Sequence, residues 1–231
     1  MKSSVVFRKR VWCFFAVVGL LSAIHHFVLR PWFLDWGAPE RIQALSFPGD
    51  ILVHGKGHTR AVLIEATPEE IWPWIVQMGQ DRGGMYSYAW LENVILADIH
   101  NVYEIREEFQ EPRQEGDTVW LANPERYNGR GYQILASYKP ERAFVMVGGG
   151  DYRRILKGEK AHGAWSFYLY PETVNSTWLI ARSAGDGLPL GDRVLRYLTY
   201  EVPHFIMERK MLRTIRRLAE QHSVKNDGLG V

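Results

Sequence analysis

The strongest constraint on this chain is a run of nineteen residues, 11–29, that contains no formally charged side chain. As a helix it rises roughly 28 Å, close to the hydrocarbon thickness of a bilayer. Its apolar residues go all the way round, unlike the one-sided stripe of a helix that packs on a soluble core. Trp12 at one end and Trp32, Phe33 and Trp36 beyond the other match the aromatic belts at membrane–water interfaces. A cleavable signal peptide shares the basic start and the apolar stretch. This run is long, however, and Ser22-Ala23 lacks the A-x-A spacing of a cleavage site. The expectation is an uncleaved transmembrane helix over 11–30, preceded by a basic segment, 1–10.

Charge placement orients that span. Lys2, Arg8, Lys9 and Arg10 precede it, and Arg30 alone follows closely. The positive-inside rule then puts the N-terminus in the cytoplasm and the C-terminal body on the outer face. These five residues also account for the formal net charge of +2, since 23 basic residues remain against all 26 acidic ones, about −3. A faintly acidic body is not that of a nucleic-acid reader. The single cysteine, Cys13, excludes an internal disulfide framework and any zinc site built on several thiolates. His25 and His26 are adjacent and point about 100° apart on a helix, so they read as interfacial residues and not as a metal pair.

Beyond the span, 31–57 carries Pro39, Pro48 and Gly49 and reads as a linker with one short helix over 40–45. Residues 59–65 then read as a strand. Thr67-Pro68-Glu69-Glu70 supplies an N-cap, a proline at the first helical position and acidic residues in the first turn. That helix runs through Met78 to Gly79, with Pro73 early enough to be tolerated, and a second helical stretch is expected over 86–96. Short strands follow over 118–122, 132–138, 143–147, 163–170 and 177–184. In the 163–170 strand, alternation places Trp165, Phe167 and Leu169 on one face and Ser166, Tyr168 and Tyr170 on the other. A long helix over 191–222 carries a one-sided apolar stripe and is expected to kink at Pro203, and a polar tail follows from 224.

Periodicity alone supports an α+β domain with an antiparallel sheet. The element order is that of a helix-grip fold, in which a curved antiparallel sheet wraps a long C-terminal helix. Ala66-Thr-Pro-Glu-Glu-Ile-Trp-Pro-Trp-Ile-Val-Gln-Met-Gly-Gln80 resembles the start of domains in the START-like (SRPBCC) superfamily, the polyketide cyclase and lipid-transport group. Arg82-Gly-Gly-Met-Tyr-Ser-Tyr-Ala-Trp-Leu-Glu-Asn93 and Asp98-Ile-His-Asn101 resemble a membrane-anchored bacterial subgroup, as do Trp36-Gly-Ala and Pro48-Gly-Asp50 upstream. The resemblance spans about 36–222 and implies a START-like domain over 58–223 with an apolar cavity. It does not imply an activity, because fold and function separate in such superfamilies.

The densest polar and aromatic cluster lies at 81–100. Glu92, Asp98 and His100 are the acid–base candidates, and Asp98 and His100 share a face if that stretch is extended. The competing reading is that these residues cap helices and fix the loop to the sheet, the usual work of Asp and Asn at helix ends. Arg82, Met85, Tyr86, Tyr88, Trp90, Trp120, Trp165 and Phe167 are the candidate ligand-binding residues. Gly148-Gly-Gly-Asp151 lacks both G-x-G-x-x-G spacing and a following helical pattern, and no P-loop, G-x-S-x-G or H-E-x-x-H motif occurs. His54, His58, His162 and His204 are scattered without metal-ligand spacing, so no metal or cofactor is expected. The leading expectation is a membrane-anchored domain that binds a hydrophobic small molecule or lipid. The alternatives are a cyclase- or hydrolase-like enzyme on an apolar substrate and a non-catalytic scaffold with a filled core.

Overall fold

The computed structural model describes residues 12, 16–17, 19–20, 22–55, 57–185 and 200–228. The basic segment 1–10, six positions of the apolar run (11, 13–15, 18 and 21), the expected start of the last helix at 191–199 and residues 229–231 lie outside the described residues.

Among the described residues six strands form one antiparallel sheet: β1 (His58–Ile64), β2 (Thr118–Trp120), β3 (Tyr132–Lys139), β4 (Ala143–Val147), β5 (Gly163–Thr173) and β6 (Ser176–Gly185). Their order across the sheet is β1-β6-β5-β4-β3-β2. Register shifts at Leu135/Ser137 and Pro171/Thr173 mark bulges, which bend the strands that carry them. The helices are α1 (Arg30–Leu34), α2 (Glu40–Gln43), α3 (Pro68–Val76), α4 (Ala89–Val94), α5 (Gly149–Ile155) and α6 (Val202–Gly228). Helices α3 and α6 cover one face of the sheet, which fits a helix-grip arrangement.

Alternation along the strands sorts the two faces. Phe144, Met146, Phe167, Leu169, Leu179 and Ala181 are buried on the inner face against Met211, Leu212, Ile215, Leu218 and Ala219 of α6. Helix α3 adds Ile71, Trp72, Trp74 and Ile75 to the same core. Its N-terminus is closed by a capping box, in which the Thr67 N–H donates to Glu70 Oε2 at 2.8 Å. At its C-terminal end the buried Arg113 donates to the carbonyls of Val76 (2.9 Å) and Met78 (2.6 Å).

The outer face is where the sequence reading needs correction. Residues 31–57, expected to be a linker, are a packed second layer: Ala38 and Ile42 are buried against Ala61, Val145, Tyr168, Trp178 and Ile180. Phe47 stacks on Tyr168 with ring centroids 4.3 Å apart. Two glycines permit this docking. At Gly37, where φ is +75°, a Cβ would lie 2.2 Å from the Ala61 carbonyl oxygen, and at Gly49 one would lie 2.3 Å from the Tyr168 hydroxyl. Prolines therefore mark turns within a layer here, and not a free connection.

Three further expectations shift. Helix α4 covers only Ala89–Val94 of the expected 86–96, because Tyr86 (φ 56°) and Leu96 (φ 64°) adopt left-handed backbone. Helix α5 occupies Gly149–Ile155, where the glycines hid any helical pattern. Helix α6 continues to Gly228, past the start expected for the tail, and Pro203 falls in its first turn behind a π-helical pair at 200–201.

Every described residue of the apolar run is helical, and a π-turn at His25–Leu29 leads directly into α1. Pro31 has no N–H to offer the preceding turn, and the Arg30 N–H bonds His25 O one residue further back. Trp12, Val17, Leu20, Ile24, Phe27, Val28 and Leu29 are exposed. Among the described residues no helix is long and apolar enough to cross a membrane. Helix α1 is fastened to α6: Arg30 pairs with Glu201 at 3.2 Å, and Phe33 and Leu34 pack on Phe205.

Candidate functional site

The inner face is apolar along most of its length and turns polar at one end. Strand register sets this up: His58 lies opposite Ser183, Arg60 opposite Ala181, and Ser183 opposite Trp165. With period-two alternation, Arg60 shares its face with the core residues Val62 and Ile64. Above this end runs α6, which presents His204 and Glu208 one turn apart.

Arg60 Nη1 donates to Glu208 Oε2 at 2.6 Å, and the Trp165 indole N–H donates to Glu208 Oε1 at 2.6 Å. The Arg60 and Glu208 side chains are only 4% and 2% exposed, so neither charge has water to replace its partner. Arg60 Nη1 also lies 3.2 Å from His204 Nδ1. His204 Nε2 lies 3.9 Å from Glu208 Oε1. Burial alone pushes the Glu208 carboxyl upward; the charges of His204 and Arg60, with the hydrogen bonds from Arg60 and Trp165, outweigh it and hold the group below its ordinary value. His58 is lowered by burial, with Asp35 opposing the shift. Arg60 Nε donates to Phe33 O at 2.9 Å, and the Thr59 N–H donates to Asp35 at 3.0 Å, so the cluster lies directly against the exit of α1.

Trp165 is only half-buried on this face, with its ring 5.1 Å from Phe167 and 5.4 Å from His204. Three buried polar atoms on the inner side have no hydrogen-bond partner: Ser183 Oγ beside Trp165, Gln133 Oε1 on β3 and Trp74 Nε1 on α3. Buried polar atoms are normally paired with protein or water, so each of these atoms can still take a hydrogen-bonding group. Glu208 is engaged by Arg60 and Trp165, which leaves it a poor general base.

The residues singled out from sequence scatter. Trp165 and Phe167 lie on the inner face. Met85 and Tyr86 are core residues, and the Tyr86 hydroxyl accepts a hydrogen bond from Gln77 Nε2 at 2.6 Å. Arg82 fixes the Phe109 carbonyl at 3.0 Å. Trp120 alternates with the buried Val119 and therefore faces the outer side, edge-on to Tyr132. Tyr88 and Trp90 are exposed.

Asp98 and His100 do meet, at 3.4 Å, but in a turn with Asp98 at φ 60° and with His100 79% exposed. Asn123 donates to Asp98 at 2.8 Å and, with Arg126 and His100, holds that carboxyl below its usual value. Asn93 brackets Ile99 through its N–H (2.6 Å) and its carbonyl (2.9 Å), and Asn101 accepts from the N–H groups of Met85 and Tyr86. This is loop fixation, the competing reading of the cluster. Glu92 stands apart: burial raises its carboxyl to about 7, and its Oε2 has no partner.

Sequence reasoning missed Arg60, His204 and Glu208. The legible signal was a charged residue in phase with the core positions of β1. A groove of about 490 Å³ lies at the far rim, lined by Phe47, Pro68, Arg142, Leu169 and Tyr170. Among the described residues no group of three or more His, Cys, Asp or Glu is placed to hold a metal ion.

No protein-family model and no curated protein matches the chain. Solved structures similar to it include CalC of Micromonospora echinospora, a self-sacrificing resistance protein, at 9% identity and TM-score 0.40, over 70% of this chain and 95% of that one. A polyketide-cyclase-like protein of Corynebacterium glutamicum, Cgl2372, matches at 13% identity and TM-score 0.35, over 74% and 93%. MLL2253 of Mesorhizobium loti matches at 13% identity and TM-score 0.36, over 71% and 98%.

Proposed function

We propose that this chain is a membrane-anchored module that binds a hydrophobic small molecule or lipid between α6 and the inner face of the sheet. In this reading its N-terminus lies in the cytoplasm and its body on the outer side, the orientation that the positive-inside rule favours. One observation carries the binding reading: the half-buried Trp165 continues an apolar wall that ends at Arg60, Glu208 and the unpartnered Ser183 Oγ. A ligand with an apolar body and a polar end matches that gradient. The polar end adjoins α1, so such a ligand enters and leaves next to the bilayer.

Acid–base chemistry at Glu92, Asp98 and His100 has less support, because Asp98 is committed to Asn123, Arg126 and His100 at the surface. Titration of the full chain in detergent with a fluorescent polyene fatty acid tests the binding reading. Saturable binding is expected, weakened about tenfold in Trp165→Ala, the scale of losing one buried aromatic contact. Absence of saturable binding, or an unchanged affinity in the variant, overturns it.

A further inference from the structure

A second apolar surface lies outside the grip. Trp90, Val94, Ile95 and Leu96 are 68%, 70%, 64% and 61% exposed, four large apolar side chains within seven residues. Single exposed apolar residues are ordinary, whereas a contiguous set of this kind marks an interaction surface.

The backbone beneath them sharpens the point. Helix α4 ends in a Schellman motif: the Ala97 N–H bonds Glu92 O at 3.2 Å, and the Leu96 N–H bonds Asn93 O at 3.0 Å. Leu96 fills the left-handed position of that motif, at φ 64°. Glycine, or sometimes asparagine, is the usual occupant because a Cβ is strained there. A leucine pointing into solvent from that position worsens the local fold and does not contribute to the core. Its side chain is therefore wanted outside.

Contacts trace this surface back to the end of the apolar run. Trp90 sits edge-on to Tyr88, and the Lys210 ammonium lies over the Tyr88 ring at 5.6 Å. Ser87 Oγ donates to the Met207 carbonyl at 3.0 Å. The neighbouring Ile206 is exposed, and Phe205 meets the exposed Trp32 with centroids 5.7 Å apart. Trp32 lies in α1, which continues the helical run from 22 without a break. The body is thus fastened at the membrane end of that run, through Arg30–Glu201 and Phe33–Phe205, with no slack segment between them.

We propose that Trp90, Val94, Ile95 and Leu96, with Trp32 and Ile206, form a surface that inserts into the interfacial layer of the bilayer beside the anchor. The occupant is phospholipid. Aromatic and aliphatic side chains bury at the headgroup–acyl boundary, and Lys210 at the rim keeps its ammonium at headgroup level. The inference rests on reading 11–29 as a membrane anchor.

The test uses the full chain reconstituted into phosphatidylcholine–phosphatidylglycerol liposomes that contain a lipid-borne quencher near the headgroups. An environment-sensitive fluorophore is placed at Val94→Cys in a Cys13→Ser background, at native Cys13 in a second sample, and at Val174→Cys in a third. Val174 is exposed in the β5–β6 turn and serves as the control. Quenching at positions 94 and 13 but not at 174 is expected. Quenching at 13 alone overturns the surface and leaves the anchor standing. Quenching at none overturns both, and quenching at 94 alone removes the anchor and with it the proposal as stated. Leu96→Gly separates fold from membrane contact: its thermal midpoint is expected to rise while quenching at position 94 falls. A lowered midpoint would show that Leu96 serves the fold and overturn its role here.

Discussion

The two faces of the sheet each bury an arginine, and the surroundings of the two differ. On the outer face Arg182 donates to Thr59 Oγ1 (3.1 Å), Leu45 O (3.0 Å), Gln43 O (3.2 Å) and Asp50 (2.7 Å), and its guanidinium lies 4.7 Å from the Phe47 ring. Its partners outside the sheet come from one packed segment, and all three of its nitrogens donate. On the inner face Arg60 shares its carboxylate with a half-buried tryptophan, beside a histidine and an unpartnered serine hydroxyl. A buried ion pair alone therefore does not identify a site. Unsatisfied neighbours beside an accessible aromatic are what favour the inner face, and among the described residues the outer face lacks that combination.

The largest effect expected is that of Arg182→Ala. It leaves Asp50 and two carbonyls of the outer layer without their donor and should lower unfolding stability by about 3–5 kcal/mol in chemical denaturation. Fatty-acid probe affinity below the unfolding transition should be unchanged. Loss of binding in the folded variant would break the separation of the two faces.

Glu92 provides the next effect, on the helical side of the domain. Its folded carboxyl sits at about 7, above the ordinary 4.5, so the folded state holds a proton that the unfolded chain releases. The associated stability is fully present below the unfolded value and is lost as pH rises to about 7. The loss is at most roughly 3 kcal/mol from the size of the shift. Glu92→Gln should remove that pH dependence and be the more stable protein at about pH 8. Parallel stability–pH curves for the two proteins would place Glu92 in a solvated setting. The smallest effect is that of His100→Ala, under about 1 kcal/mol for an exposed pair, with probe binding intact. A large loss of binding would return Asp98 and His100 to the site.

Strands were the most legible part of the fold. Alternation and turn residues placed all six within a few residues, and Thr67-Pro68 with Glu70 announced α3. The outer layer was illegible because Ala38, Ile42 and Phe47 follow no period and lie among prolines and glycines that resemble a linker. Half of the site was visible. Trp165 and Phe167 declared themselves by period two, whereas Arg60 was missed although it stood in phase with Val62 and Ile64. Glu208 and His204 were hidden because a carboxylate and an imidazole one turn apart on a helix resemble any surface pair until β1 and β5 are folded against them. Asp98 and His100 looked paired for the wrong reason, since a left-handed turn brings them together and not a strand.

The central claim is that an apolar ligand lies against Trp165 beneath α6. Native mass spectrometry of the full chain, released gently from membranes, tests it most directly. The account predicts a co-purified apolar mass that leaves on collisional activation and is depleted in Trp165→Ala. Bare protein in every preparation, with the variant indistinguishable from it, would contradict the account.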